Sequence, residues 1–320
     1  MRALITGLTG FAGSHLADHL LSQPDWQVFG VGLPTDSRRN IAHLGDRVSL
    51  VPADLGDYAT TVALLREVAP SHVFHLAAQA SVGRAWSDPA ATLVNNITAQ
   101  AHLLQGLVEL GQSPRVLIVG SADEYGLVRP DELPITEDTP LRPVNPYAVS
   151  KIAQDYLGYQ YHLSHQLPVV RVRPFNHIGP RQAPGFVVPD FCRQIARIEA
   201  GQQEPRLAVG NLEAYRSFAD VRDVVVAYRL ALTEGRPGQV YNIGAGEPVS
   251  MGDLLTLLLS MSEVPIAVDT DPDRLRPSDI PCLSCDCQRL RRDTGWVPRY
   301  TLEQSLQAVL DYWRTSPAAA

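Results

Sequence analysis

The chain has 320 residues, of which 45% are hydrophobic and 19% charged, an ordinary balance for a globular protein with room for one large or two moderate domains. Its formal net charge of −7 argues against a general nucleic-acid binder but leaves room for a local basic pocket that takes a phosphorylated small molecule. No apolar run reaches the length of a membrane span, and the amino terminus enters a strand at once, so neither an anchor nor a signal peptide is expected and the default compartment is the cytoplasm.

The first predicted element is a buried parallel strand over Arg2–Thr6, followed by Gly7-Leu8-Thr9-Gly10-Phe11-Ala12-Gly13 and a helix over Ala12–Leu21. Glycines at 7, 10 and 13 allow a tight turn and a close backbone approach to a pyrophosphate, and the helix start would point its amides at the phosphates. Strand before and helix after is the context in which this glycine pattern reads as dinucleotide binding. Strands are then predicted at Gln27–Gly32, Val48–Val51, His72–Leu76, Arg115–Ser121 and Val169–Pro174. Helices are predicted between them at Tyr58–Val68, Ala90–Leu110 and Tyr147–Leu163. The alternation gives an α/β fold with a parallel, doubly wound sheet, in which ligands sit beyond the carboxyl ends of the strands.

Past Pro174 the texture changes to frequent proline and glycine. Helices are predicted at Phe191–Ala200, Val221–Leu232, Met251–Met261 and Leu302–Trp313, with strands at Leu207–Val209 and Val240–Ile243. The reading is a Rossmann domain of 1–173 plus 218–244 and a smaller α/β substrate domain of 174–217 plus 245–320, with one excursion of chain back to the main sheet.

Tyr147 and Lys151 carry the chemistry. Four positions apart on a helix, they share a face. A phenol titrates near 10, and a neighbouring ammonium is expected to lower that value, so the pair can serve a carbonyl or carbinol oxygen as proton donor or acceptor. Ser121, at a strand end, can hydrogen-bond the same oxygen. Cys282, Cys285 and Cys287 cluster without a nearby histidine, which favours reduced thiols over zinc, and no metal site is expected. His15, His19, His43, His72 and His102 show no partner pattern; His177, beside Asn176, is a weaker candidate for sugar contact.

Together, Gly7-x-x-Gly10-x-x-Gly13, His75-Leu76-Ala77-Ala78, Asn95, Ser121 and Tyr147-x-x-x-Lys151 resemble the extended short-chain dehydrogenase/reductase family, over nearly the whole chain. The resemblance implies catalysis by Ser121, Tyr147 and Lys151. It also implies a nicotinamide dinucleotide held by the glycine loop with Phe11 and Ala12, by Asp54-Leu55, by Leu76, Ala77 and Ala78, by Asn95, by Tyr147 and Lys151, and by Pro174. No acid ends the second strand; Asp36 comes late and Arg38-Arg39 could meet a 2′-phosphate, so NADP(H) is favoured and NAD(H) left open.

Pro174-Phe175-Asn176-His177-Ile178-Gly179-Pro180-Arg181, Gly210-Asn211-Leu212-Glu213-Ala214-Tyr215-Arg216 and Leu275-Arg276-Pro277-Ser278-Asp279 look like the family's GDP-sugar branch. That branch contains GDP-mannose 4,6-dehydratases and GDP-6-deoxy-4-keto-D-mannose reductases. By its pattern Asn176, Arg181, Val188, Arg193, Asn211, Arg216, Arg276 and Asp279 would line the nucleotide-sugar site, arginines forking onto phosphates. The resemblance further implies a homodimer through a four-helix interface built from the helices over Ala90–Leu110 and Tyr147–Leu163.

A dehydratase needs an extra acid and base for the elimination, placed in this family one and two residues after the catalytic Ser or Thr. Here those positions are Ala122 and Asp123. Ala122 does no acid work, Asp123 is one methylene shorter than Glu, and Glu124 on an extended strand would point to the other face. The implied reaction is therefore reduction of a C4 ketone to give GDP-D-rhamnose. Asp123 keeps a 4,6-dehydratase or epimerase as the alternative, and a nucleotide-sensing regulator is the non-enzymatic one.

Overall fold

The computed structural model describes residues 1–274 and 281–316. Arg276 and Asp279, both expected at the substrate site, lie outside the described residues. In the first half the strands are β1 (Arg2–Thr6), β2 (Gln27–Gly32), β3 (Val48–Pro52), β4 (His72–His75), β5 (Arg115–Val119) and β6 (Val169–Pro174). The helices are α1 (Phe11–Leu21), α2 (Tyr58–Val68), α3 (Val82–Ser87), α4 (Pro89–Glu109) and α5 (Pro146–His165).

The second half adds β7 (His177–Ile178), α6 (Val187–Glu199), β8 (Arg206–Val209), β9 (Tyr215–Arg216), β10 (Ala219–Asp220), α7 (Val221–Glu234) and β11 (Val240–Ile243). It continues with β12 (Val249–Ser250), α8 (Met251–Ser260), β13 (Ala267–Thr270), β14 (Cys282–Leu283), α9 (Gln288–Thr294) and α10 (Leu302–Thr315). Single-turn and kinked 3-10 segments, at Arg39–Arg47 and Ala122–Glu124 among others, join them.

Seven parallel strands form the main sheet in the order β11-β6-β5-β4-β1-β2-β3. The order reverses beside β1, between β4 and β2, so the mouth of a ligand crevice opens past the ends of β1 and β4. Apolar runs such as Val116-Leu117-Ile118 are buried because helices cover both faces of the sheet. On one face α2, α4 and α5 pack Leu65, Leu103 and Leu107 against Val116 and Ile118. On the other, α1 and α7 pack Leu16, Leu20, Val224 and Tyr228 against Ile5 and Phe74. A separate apolar cluster joins α6, α8 and α10 through Phe191, Ile195, Leu254, Leu310 and Trp313.

β11 is the expected excursion of late sequence into the main sheet, pairing with β6 from Val240–Arg171 to Ile243–Pro174. The segment around α9 also returns. Leu290 and Trp296 pack in the core shared by α1 and α7, and Trp296 Nε1 donates to Asp223 O at 3.0 Å. Among the described residues no helix is long and apolar enough to cross a membrane.

Candidate active site

β1 is followed by Gly7, whose φ of 73° turns the chain toward α1. Gly13 sits where the first turn of α1 crosses that loop: a Cβ there would lie 2.2 Å from Gly7 O, so only glycine permits the crossing. Gly10 caps α1 with no side-chain hydrogen bond, which leaves the first-turn amides for a ligand. Ala77 runs against the same loop, its N–H donating to Thr6 Oγ1 at 3.1 Å while Leu76 N–H donates to Thr6 O at 3.2 Å. The residues expected to hold a pyrophosphate and the adjoining ribose thus converge, and the cradle fits a dinucleotide.

The expected Asn95 does not join this cradle. It is exposed on α4, and its neighbour Asn96 is the buried one, accepting Gln79 N–H at 2.7 Å and donating to Gln79 O and Ser150 Oγ. A one-residue step on a helix turns a side chain by about 100°, which buries one and exposes the other, although Asn95 Nδ2 still donates to Asn96 Oδ1 at 3.0 Å. Asp54 is exposed and accepts Gly56 N–H at 2.8 Å, with Leu55 buried beside it. Arg38 is exposed beyond β2. Asp36, late in sequence, is brought back by its turn: its carboxylate accepts Thr9 Oγ1–H and Leu33 N–H, both at 2.9 Å, next to Gly32.

The residues expected to react meet past the end of β5. Ser121 caps a 3-10 turn: its hydroxyl accepts Asp123 N–H at 3.2 Å and its N–H donates to Glu124 Oε1 at 2.8 Å. α5 starts at Asn145, whose side chain accepts Ala148 N–H at 2.7 Å, with Pro146 in the first turn, and this start aims Tyr147 at Ser121. The Ser121 side chain is within hydrogen-bond reach of the Tyr147 phenol.

The electrostatics correct the sequence expectation. Burial, and then the Asp123 carboxylate, push the Tyr147 phenol well above its ordinary value, and the Ser121 hydrogen bond only partly offsets them. Lys151 is engaged by other partners. Its Nζ donates to Val119 O at 2.6 Å and to Gln154 Oε1 at 2.9 Å, and burial pulls it down to about 8. An extended strand would place Glu124 on the other face; in the structure a 3-10 turn directs it inward and buries it. There Arg173 meets it at 3.0 Å and also pairs with Asp155 of α5. This buried network left no sequence pattern beyond charged residues in otherwise apolar elements.

The substrate candidates are less uniform. Pro174 is buried at the end of β6, and Asn176 is exposed just beyond it. The Val188 side chain is buried in the α6–α10 cluster, so its contribution to a ligand would be its first-turn N–H. Arg193 is half-buried on α6, Asn211 Oδ1 accepts Glu213 N–H at 2.9 Å, and Arg216 Nη1 donates to Tyr215 O at 2.8 Å. Arg181 departs from expectation. Its guanidinium lies against α1, on Asp18 at 2.6 Å and His15 Nδ1 at 2.7 Å, because the positive φ of 72° at this residue turns the chain that way. His177 stacks on Phe11 with ring centroids 5.7 Å apart, and His15 Nε2–H donates to Pro180 O at 2.8 Å, so both are tied to the α1 loop.

Residues 4–309 match the family model described as GDP-mannose 4,6 dehydratase. The chain belongs to the GDP-mannose 4,6 dehydratase family. Within the wider group of nucleotide-sugar enzymes, it is 38% identical to the GDP-6-deoxy-D-mannose reductase of Pseudomonas aeruginosa, over 98% of this chain and 97% of that protein. It is 31% identical to a UDP-glucose 4-epimerase of Mycolicibacterium smegmatis, over 98% of this chain and 99% of the other. The structure of RMD from Pseudomonas aeruginosa complexed with NADPH superposes with a TM-score of 0.85 at 36% identity, covering 98% of this chain and 99% of that one. The Thermus thermophilus UDP-glucose 4-epimerase complex with NAD gives 0.88 at 28% identity, covering 99% and 100%.

Proposed function

We propose that this family member reduces the C4 ketone of GDP-4-keto-6-deoxy-D-mannose to GDP-D-rhamnose with NADPH, admitting NADH, in the cytoplasm and as a homodimer. The observation that carries the reading is the pair formed by Ala122 and Tyr147. Ala122, at the position where elimination needs an acid, is buried against Tyr125 and Ile135. Tyr147 keeps its proton at neutral pH, the state a proton donor to an emerging alkoxide requires. The 38% identity to a GDP-6-deoxy-D-mannose reductase supports the same substrate class.

In this mechanism the reduced nicotinamide supplies the hydride. Ser121 donates a hydrogen bond to the ketone oxygen, and Tyr147 delivers the proton as that oxygen gains charge. Lys151, charged below about pH 8, replaces part of the phenol's lost proton charge from the same helix face. The glycine crossing at Gly13 and the α1 amides hold the pyrophosphate. NADPH is favoured by Arg38 and Arg39 beyond β2 and by the NADPH-bound relative; the Asp36 carboxylate beside Gly32 is what admits NADH.

Purified protein supplied with GDP-4-keto-6-deoxymannose is expected to oxidise NADPH, followed at the reduced-nicotinamide absorbance band, and absence of turnover with both NADPH and NADH removes this reading. A 4,6-dehydratase reading rests on one observation, the Asp123 carboxylate close enough to Tyr147 to act on its charge. Rapid formation of the 4-keto sugar from GDP-mannose would favour it. The homodimer draws on α5, where Val149, Tyr156 and Leu163 are exposed at heptad spacing, and on α4, where Val94 is exposed. A stripe repeating every seven residues is what a second helix packs against.

A further inference from the structure

We infer that Arg173, gripping Glu124 and Asp155, is a clamp that fixes the Ser121 turn against the helix carrying Tyr147 and Lys151, which makes Glu124 a positioning residue for proton transfer. The inference rests on Ser121, Tyr147 and Lys151 being the reacting groups.

Arg173 stands in β6, beside the strand that ends two residues before Ser121. Its guanidinium reaches the turn through Glu124 at 3.0 Å and through Tyr125 Oη at 3.1 Å. It reaches α5 through Asp155, whose Oδ2 accepts from Nε at 2.9 Å and also from Nη2. Asp155 follows Lys151 by one helical turn, and its other oxygen accepts Arg171 Nη1–H at 2.8 Å. The far end of the clamp is the Ser121 backbone, whose N–H donates to Glu124 Oε1 at 2.8 Å. Space for that carboxylate is reserved: a Cβ on Gly120 would stand 2.2 Å from Glu124 Oε1 and 3.1 Å from Val172 O.

Burying two carboxylates and two guanidiniums is an expensive way to hold a core together, since apolar residues of similar volume commonly do as well. Here these groups bond to the backbone of Ser121 and to the helix that carries Tyr147, where about one ångström of misplacement is enough to cost a large factor in rate. Glu124 is also felt by the reacting groups. Arg173 from β6, Asp155, Tyr147 and Lys151 from α5 and Tyr125 from its own turn all face it; burial and then Asp155 raise its own carboxyl to about 8, so it is in the alkaline range, where it ionises, that its negative charge raises both Tyr147 and Lys151.

The test is Glu124→Gln, which keeps the shape and the acceptor for Ser121 N–H but turns an amide donor toward Arg173. Cofactor affinity, read by nucleotide fluorescence, is expected to stay unchanged, with kcat reduced about tenfold or more and KM little altered. The alkaline limb of kcat should move to lower pH, because Tyr147 and Lys151 both lose a charge that raised them. Unchanged kcat and an unmoved limb in folded E124Q overturn the proposal. Should E124Q fail to fold, Asp155→Asn carries the same kinetic test with the same expected fall in kcat.

A thermal-unfolding cycle reads the clamp without any substrate. Because Glu124 and Asp155 both act through Arg173, E124Q and D155N together should lower the melting temperature by less than the sum of the two single losses. Additive losses overturn the clamp. Inactivity of the unmodified enzyme on the keto-sugar counts against the proposed reaction instead, and leaves the thermal result to decide this inference.

Discussion

In the proposed reduction Tyr147 serves as the donor, and its surroundings keep it from ionising. Burial and Asp123 disfavour the phenolate, while Ser121 is the group that favours it. Tyr147→Phe is therefore expected to lower kcat by about 10²–10⁴ while nucleotide fluorescence titrations show unchanged cofactor affinity. Retained turnover would take the proton-donor role from Tyr147. In the same proposal Lys151 sets the upper pH boundary. Burial brings it to about 8, so the charged form predominates below that pH and is lost above it. The rate is expected to decline as pH rises through about 8, in a full pH profile of kcat. The Tyr–Lys spacing was legible in sequence; the direction of the phenol's shift was not, because it depends on burial and on Asp123, which local spacing cannot supply.

At the scale of elements, the glycine loop and α1 form one rigid joint. Gly13→Ala places a methyl 2.2 Å from backbone Gly7 O, and backbone cannot yield as a side-chain tip would. The expected outcome is a lowered melting temperature together with cofactor affinity reduced about tenfold or more, measured by calorimetry and nucleotide titration. On α5, Tyr156→Glu puts a charge in the exposed Val149–Tyr156–Leu163 stripe and should shift the species seen by sedimentation from dimer to monomer. A monomeric unmodified protein would refute the stripe's assignment. Long elements were readable from pattern alone: β1, β2, β6, α2 and β11 have the bounds their periodicity and flanking turns implied. The two-residue strands β7, β9, β10, β12 and β14 were not, because pairing with distant chain defines them rather than any run of their own residues. Asn95 and Asn96 show the same limit within one helix, where the burying face decides which of two identical residues braces the crevice.

For the whole molecule, acid stability follows from histidines that are buried neutral. Burial, and for His75 the nearby Lys151, take His75 down to about 3, while burial and then Arg181 take His15 to about 4. Unfolded, both would bind a proton near pH 6.5, so below that pH the unfolded chain gains protons that the native one refuses. Stability is expected to fall from about pH 6.5 toward 4, by a few kcal/mol in all. Glu124, raised to about 8 by burial and then by Asp155, acts in the opposite sense between about 8 and 4.5, one group against three, since burial and then Arg229 also lower His19 to about 4. Melting temperatures from pH 8 to 4 check this, and a flat course between pH 7 and 5 contradicts it; His75→Gln should remove part of the slope.

The last strand of the sheet, β11, is supplied by residues 240–243, long after its neighbour β6 at 169–174. Until those residues arrive, β6 is an outer edge whose outward backbone groups are unpaired, although its other side is already bonded to β5. Such an edge invites pairing with another chain. Fragments ending before residue 240 should therefore associate and precipitate, and the growing chain on the ribosome carries a sticky border until β11 emerges to seal it.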